Sequence, residues 1–377
     1  MPDVKRSIRP SEVRMSRSTP LRGVHESLGA TLTDFAGWQM PLRYGSESAE
    51  HNAVRTAAGL FDLSHMGEIF VVGAQAGEAL DRALVGHLSV LAPGRARYTM
   101  IVNETGGILD DLIVYRLDED RYMVVANASN YALVARELAD RVRGHNARVT
   151  DRSDEYALVA VQGPRAAGIL AALTDADLDD LKYYAIVPGV VAGAPALIAR
   201  TGYTGEDGFE LFVANEHAVP LWNALAEAGK DAGLVPAGLS ARDTLRLEAG
   251  MPLYGNELSA AITPFDAGLG RVVRFDKPGD FVGKAALERA AENGTRRRLV
   301  GLAALGRRVP RHGYPVTREG AVVGEVTSGA PSQSLGRPIA MAYVDEGALD
   351  KGGLAVDIRG SQEPVDVVDL PFYRRSK

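Results

Sequence analysis

Residues 98–115 read YTMIVNETGGILDDLIVY. Two runs rich in β-branched and aromatic residues, 98–102 and 108–115, flank NETGG at 103–107, whose glycines supply positive φ. The stretch therefore predicts two strands joined by a turn. Side chains alternate along a strand, so Asp110 and Asp111 point to opposite faces. Asp111 shares a face with Ile113 and Tyr115, and Asp110 with Leu112 and Val114. One carboxylate is expected against an apolar, aromatic surface, where an unpaired charge is costly. The plain alternative is an aspartate that closes the turn or lies on a solvated strand end.

On either side of this hairpin, helices are expected at 21–28, 51–60, 76–84 and 130–143, and strands at 69–72, 122–126 and 156–161. Pro164 is read as the first residue of a further helix. Antiparallel strands alternating with helices point to an α+β body. At 200–213, RTGYTGEDGFELFV is a glycine-rich loop running into a strand where Glu210 sits among Phe209, Leu211 and Phe212. A glutamate there needs either a partner or an edge-strand position facing solvent.

In GLSARDTLRLEAG at 238–250, Ser240 and Asp243 resemble a capping box and Gly250 a C-terminal cap. Arg242 then falls in the first helical turn, where the macrodipole disfavours a cation. It answers a carboxylate or a ligand oxygen, or else makes an ordinary surface ion pair. Beyond residue 281, short strands at 299–302, 314–317, 321–327, 339–344 and 354–358 suggest a separate all-β barrel or sandwich.

At 377 residues the chain is long enough for two or three domains, and 46% apolar with 24% charged residues is ordinary for a globular protein. A net charge of -6 argues against nucleic-acid binding. With no cysteine, disulfides, thiolate metal sites, iron–sulfur clusters and thiol nucleophiles are excluded. No apolar run approaches the ~18 residues of a membrane span, so a cytoplasmic protein is expected. Residues 1–18 are polar and Arg-rich without an apolar core, which predicts a disordered lead, with Met15 an alternative start. No phosphate loop, dinucleotide fingerprint, zinc-protease or serine-hydrolase motif is present. Among the scattered histidines, His51 and His65 are the pair best able to meet, but no metal site is expected. The residues alone describe a soluble α+β enzyme or binding protein with a carboxylate-lined, aromatic pocket.

TPL at 19–21, DFAGW at 34–38, GLFDLSHMGE at 59–68, GGILDD at 106–111, RTGYTGEDGFE at 200–210, ARDTLRLEAGM at 241–251, LYG at 253–255, VTSG at 326–329 and PFY at 371–373 occur in one order along the chain. Together they resemble the glycine cleavage system T-protein, or aminomethyltransferase, family. The resemblance implies a three-domain cloverleaf-like arrangement of antiparallel sheets with helices, ending in a β-barrel. Its expected units are a folate-binding body at 19–280 (roughly 19–51 with 155–255, and 52–154) and the barrel at 281–377.

It implies transfer of the methylene carbon of the aminomethyl group on a lipoylated H protein to tetrahydrofolate, giving 5,10-methylenetetrahydrofolate, ammonia and the dihydrolipoyl protein. By motif position Asp111 is the implied catalytic acid, and Glu210 and Arg242 the polar anchors of the pterin. Tyr98, Tyr115, Met66, Asn127 and Tyr203 are the implied lining, and Arg374 would meet the glutamate tail. Ser240, Met251 and TSGAPSQSLGRP depart from the commoner family text without touching the implied acid. A tetrahydrofolate-dependent demethylase shares such a pocket and is the competing reading. A non-catalytic scaffold of the iron–sulfur repair type carries a cysteine signature, which this chain lacks.

Overall fold

The computed structural model describes residues 16–350 and 352–375. The hairpin of 98–115 sits at one side of a five-stranded antiparallel sheet, ordered Arg95–Val102, Ile108–Asp118, Arg121–Ala126, Gly67–Val72 and Arg148–Asp151. Its turn is tied by the Asn103 side chain, whose Oδ1 accepts from the Thr105 and Gly107 backbone N–H groups at 3.0 and 2.9 Å. Gly106 has φ 86°, a conformation a side chain would strain.

The alternation read from the sequence distributes the two faces. Leu112 and Val114 join Ile69, Val71 and Val124 under the helices Ala76–Ala83 and Tyr131–Arg141. Tyr115, with Phe70, Met123 and Val125, instead packs against a second sheet through Leu158, Ala160 and Phe212. That sheet has six strands, ordered Ile186–Val191, Ala194–Ala199, Gly208–Ala214, Tyr156–Gln162, Ala58–Asp62 and Leu234–Pro236. Only its last pairing is parallel. Its other face, with Val159, Val161, Phe209 and Leu211, is covered by the helix Ala218–Gly229 through Leu221 and Trp222. The body is thus two sheets face to face with helices outside. Burying each large apolar side chain is worth roughly 1.5–3 kcal/mol, so a one-residue slip of either inner strand is strongly disfavoured.

Four local expectations are corrected. The helix expected at 51–60 is Glu47–Thr56, and the chain then enters strand Ala58–Asp62. That strand is buried on both faces, so it lacks the alternation that would mark it in the sequence. Pro164 precedes the helix Ala166–Ala171 instead of starting it. The helix Leu239–Glu248 begins at Gly238 with no side-chain cap, so Ser240 forms no capping box. A Cβ at Gly238 would lie 2.4 Å from the Leu42 carbonyl oxygen, which explains the glycine. Finally, of the residues read as a disordered lead, 1–15 lie outside the described residues, whereas Arg17–Ser18 pair in parallel with Trp38–Arg43.

The carboxy-terminal unit is a closed barrel, ordered Arg297–Ala304, Arg337–Asp345, Ala321–Ser332, Pro315–Arg318, Leu354–Ile358 and Ser361–Val368. The chain is therefore α+β with a closed six-stranded barrel. The helix Lys284–Asn293 lies against the body, where Leu287 clusters with Val102, Ile108 and Phe281.

Residues 260–262 strap the hairpin turn: the Ile108 N–H donates to the Ile262 carbonyl at 2.9 Å, and a Cβ on Gly107 would stand 1.9 Å from the Ala260 carbonyl oxygen. Gly107→Ala is expected to cost about 1–3 kcal/mol through this overlap. A urea melt reads it directly, and an unshifted midpoint would mean that the strap yields freely.

Candidate active site

The inner layer between the two sheets brings carboxylates from both sides toward each other. On the five-stranded sheet, Asp111 pairs with Met100, and Ile113 with both Tyr98 and Val125. Asp111 is half-buried. Its Oδ2 accepts from the Tyr98 hydroxyl at 3.1 Å and its Oδ1 from Asn127 Nδ2 at 2.8 Å. Burial raises the Asp111 carboxyl above the usual carboxylate range, against the two hydrogen bonds that favour the anion.

Asp110 points the other way and is fully enclosed. Burial first, and then the charge of Asp111, raise its carboxyl as well. The hairpin reading expected one carboxylate to be enclosed, and Asp110 is that one, while Asp111 keeps a partly open face.

Across the layer, Glu210 shares the inward face of Gly208–Ala214 with Phe212. Its strand lies between Tyr156–Gln162 and Ala194–Ala199, which removes the edge-strand alternative. Glu210 is buried, and its Oε2 accepts from the Thr201 hydroxyl and, at 3.4 Å, from the Tyr115 hydroxyl. Tyr115 is itself fully buried, with its hydroxyl 2.9 Å from Thr201 Oγ1. It braces Glu210 and offers no open surface.

Arg242 projects from the first turn of Leu239–Glu248, with its guanidinium over the Tyr203 ring at 4.7 Å from the centroid. Among the described residues it forms neither an ion pair nor a side-chain hydrogen bond, although it is largely enclosed. Burial lowers its proton affinity, while the charge of Glu210 opposes that shift. An enclosed guanidinium with free donors is complementary to a ligand acceptor. The Tyr203 hydroxyl donates to the Pro252 carbonyl, which fixes the ring beneath Arg242. Met66 is half-buried in the same inter-sheet cluster. Arg374 is exposed and forms no ion pair among the described residues; its neighbour Arg375 lies 3.6 Å from Asp207.

Tyr184 and Tyr254 of this region escaped the sequence reading as site residues, and His65 was read only as a possible partner of His51. Tyr184 feels the charges of Glu210 and Asp111 and has φ 59°, a costly conformation for a bulky residue. Its backbone is held there because its N–H donates to the Arg200 carbonyl and its carbonyl accepts from Ala96 N–H, at 3.0 and 2.9 Å. The only sequence signal was the Tyr183-Tyr184 doublet. Tyr254 feels both aspartates, and burial raises its hydroxyl. His65 is buried near Arg242; burial and that charge disfavour its cation. It does not meet His51, which instead reaches Thr244 Oγ1 and Glu248.

The arrangement offers a carboxylate poised to take a proton, a second carboxylate opposite it, a free guanidinium and tyrosine rings between them. Two family models match the chain, the GCVT N-terminal domain over residues 21–277 and the glycine cleavage T-protein C-terminal barrel domain over 297–374. The chain is 69% identical to an aminomethyltransferase of Streptomyces coelicolor over 366 residues, covering 96% of this chain and 98% of that one. It is 44% identical to the Bacillus subtilis aminomethyltransferase over 363 residues, covering 96% and 100%. The crystal structure of glycine cleavage system aminomethyltransferase T from Bartonella henselae superposes with a TM-score of 0.89 at 38% identity, covering 96% of this chain and all of that one. With both family models in register along the two units of the fold, the chain belongs to the glycine cleavage T-protein family.

Proposed function

We infer that this protein is the aminomethyltransferase of a glycine cleavage system. It takes the methylene carbon of the aminomethyl group carried on a lipoylated H protein and delivers it to tetrahydrofolate. The products are 5,10-methylenetetrahydrofolate, ammonia and the dihydrolipoyl protein. The observation that carries the reading is Asp111, a half-buried carboxylate held between Tyr98 and Asn127 with its proton affinity raised.

In this reading Asp111 orients the nucleophilic amine of the folate, accepts its proton and stabilises the positive charge that develops on the migrating carbon. Its raised proton affinity brings it closer to the working pH, which suits a general base. Glu210 and Arg242 suit the pterin, which presents an amidine-like donor edge beside a carbonyl acceptor. Tyr98, Tyr184 and Tyr203, with Met66, supply flat and polarisable walls for the heterocycle. Among the described residues no helix is long and apolar enough to cross a membrane, and a cytoplasmic location is part of this reading.

The deciding experiment supplies purified protein with tetrahydrofolate and aminomethyl-loaded lipoyl H protein, and follows methylenetetrahydrofolate and ammonia. Rapid turnover that depends on the H protein is expected. No turnover with intact folate binding would move the carbon donor to a methylated small molecule. A narrower test concerns the free guanidinium. A hydrogen bond to a charged group is worth about 1.5–3 kcal/mol, so Arg242→Met is expected to raise the folate Kd roughly 10- to 100-fold by equilibrium titration. An unchanged Kd would take Arg242 out of the pterin site.

A further inference from the structure

The aspartates leave opposite faces of their strand, yet one side chain bridges them. Asn127 follows directly on strand Arg121–Ala126, at the strand end where a single amide can reach around to both faces. Its Nδ2 donates to Asp110 Oδ1 and to Asp111 Oδ1, each at 2.8 Å, so both of its N–H bonds point at carboxylates. The reversed amide would set a carbonyl against two carboxylate oxygens, so these contacts fix its orientation. Asp110 holds that amide firmly: its Oδ2 accepts from the Asn127 backbone N–H at 3.0 Å, and its Oδ1 also accepts from Asn130 Nδ2 at 2.8 Å. Asp110 is fully buried and cannot touch a substrate.

We propose that Asp110 is a positioning residue for the transfer reaction, locking the Asn127 amide so that its second N–H is aimed at Asp111. The inference rests on the reaction assigned above. It has an electrostatic corollary. The titratable groups facing Asp111 are Tyr98, Tyr184, Tyr203, Tyr254 and Asp110, and those facing Asp110 are Asp111 and Tyr254. Burial keeps the tyrosines neutral. Of the two carboxyls it is Asp110 that the other's charge raises, so Asp111 ionises while Asp110 still holds its proton, and the Asn127 N–H is what favours the Asp111 anion.

The test uses the full chain as wild type, Asp110→Asn and Asn130→Ala. The readouts are turnover against pH in the H-protein assay, folate affinity, and a 13C-carboxyl NMR titration of Asp111 without substrate. Asp110→Asn keeps one acceptor oxygen and turns an NH2 group toward donors, so the Asn127 amide is released. Both the acid limb and the carboxyl titration are then expected to move up by about 0.5–1 pH unit, because the Asp111 anion loses a donor. The loosened carboxylate should lower the plateau rate several-fold, to roughly tenfold, with folate affinity little changed. Asn130→Ala strips a donor from Asp110 and leaves Asn127 in place. Asp110 then holds the Asn127 amide less firmly, so a smaller shift in the same direction is expected. That second variant keeps the test decisive if Asp110→Asn does not fold. Rates lowered evenly across pH, with the limb and the titration unmoved, would overturn the proposal and leave Asp110 a structural fastening. A wild type without turnover would instead overturn the assigned reaction, and the carboxyl titration would still decide the role of Asp110.

Discussion

Replacing Asp111 by Asn is expected to lower aminomethyl transfer by two to four orders of magnitude while leaving the folate Kd within a few-fold. The size follows from what a positioned acid–base group contributes, roughly 10²–10⁴-fold. The specificity follows from geometry. An asparagine keeps an acceptor for the Tyr98 hydroxyl and nearly the same volume, while Glu210 and Arg242 lie on other elements and stay in place. What is lost is the negative charge, the ability to take a proton and the second oxygen that accepts from Asn127. The wild-type rate should also fall below about pH 6, the value to which burial raises Asp111, as the anion is neutralised. The Asn variant should lose that limb from whatever rate remains. Single-turnover rates from pH 5 to 8 make the comparison, and an Asn variant with wild-type rate would remove Asp111 from the chemistry.

The inner layer was legible in the sequence because a strand with one face under helices and the other toward a pocket must alternate. Asp111, Ile113 and Tyr115 fall on one side for that reason, and Glu210 and Phe212 fall together for the same one. Legibility failed where alternation carries no signal. Ala58–Asp62 is buried throughout, so its AGLFD text merges with the helix before it. The barrel strand Ser361–Val368 contains Pro364 and three acidic or amide residues, which hid its pairing with Arg297–Ala304. The environment of Asp111 was beyond a strand argument altogether. It depends on Asn127, 16 residues downstream, returning along the neighbouring strand. Tyr184 depends on a strained backbone that only the junction of the two sheets imposes.

The helix that presents Arg242 is also the seam between body and barrel, so stability and site geometry are coupled there. Its last residue, Glu248, is fully buried at a helix C-terminus, where the macrodipole disfavours a carboxylate. Partners from three elements compensate. Arg55 donates from Nε and Nη2 to Glu248 Oε2 at 3.1 and 2.9 Å, and His51 Nε2 lies 3.2 Å from the same oxygen. From the barrel, the Ser332 and Ser334 hydroxyls donate at 2.6 and 2.7 Å. Arg55 also reaches Glu206 at 2.9 Å in the glycine-rich loop and stacks on Tyr373 at 4.0 Å.

Burial raises the Glu248 carboxyl, but His51 and the serine hydroxyls outweigh it and hold it well below its ordinary value of 4.5. The stability this gives is therefore present above about pH 4.5 and lost as pH falls below it. Breaking such a buried network from one side costs about 3–5 kcal/mol, and Glu248→Ala is expected to cost that much.

The loss should fall on the junction first. Both tryptophans, Trp38 and Trp222, lie in the body, so their fluorescence is blind to the barrel whereas far-ultraviolet circular dichroism reports both units. Wild-type urea transitions by the two probes should coincide. In Glu248→Ala the dichroism should begin to fall at lower urea than the fluorescence, as the barrel comes away before the body unfolds. The folate Kd should rise as well, because the strut carrying Arg242 has lost its anchor. Coincident transitions at an unshifted midpoint would show that apolar contacts such as Leu247 with Ala330, Ile339 and Met341 hold the seam without the ionic network.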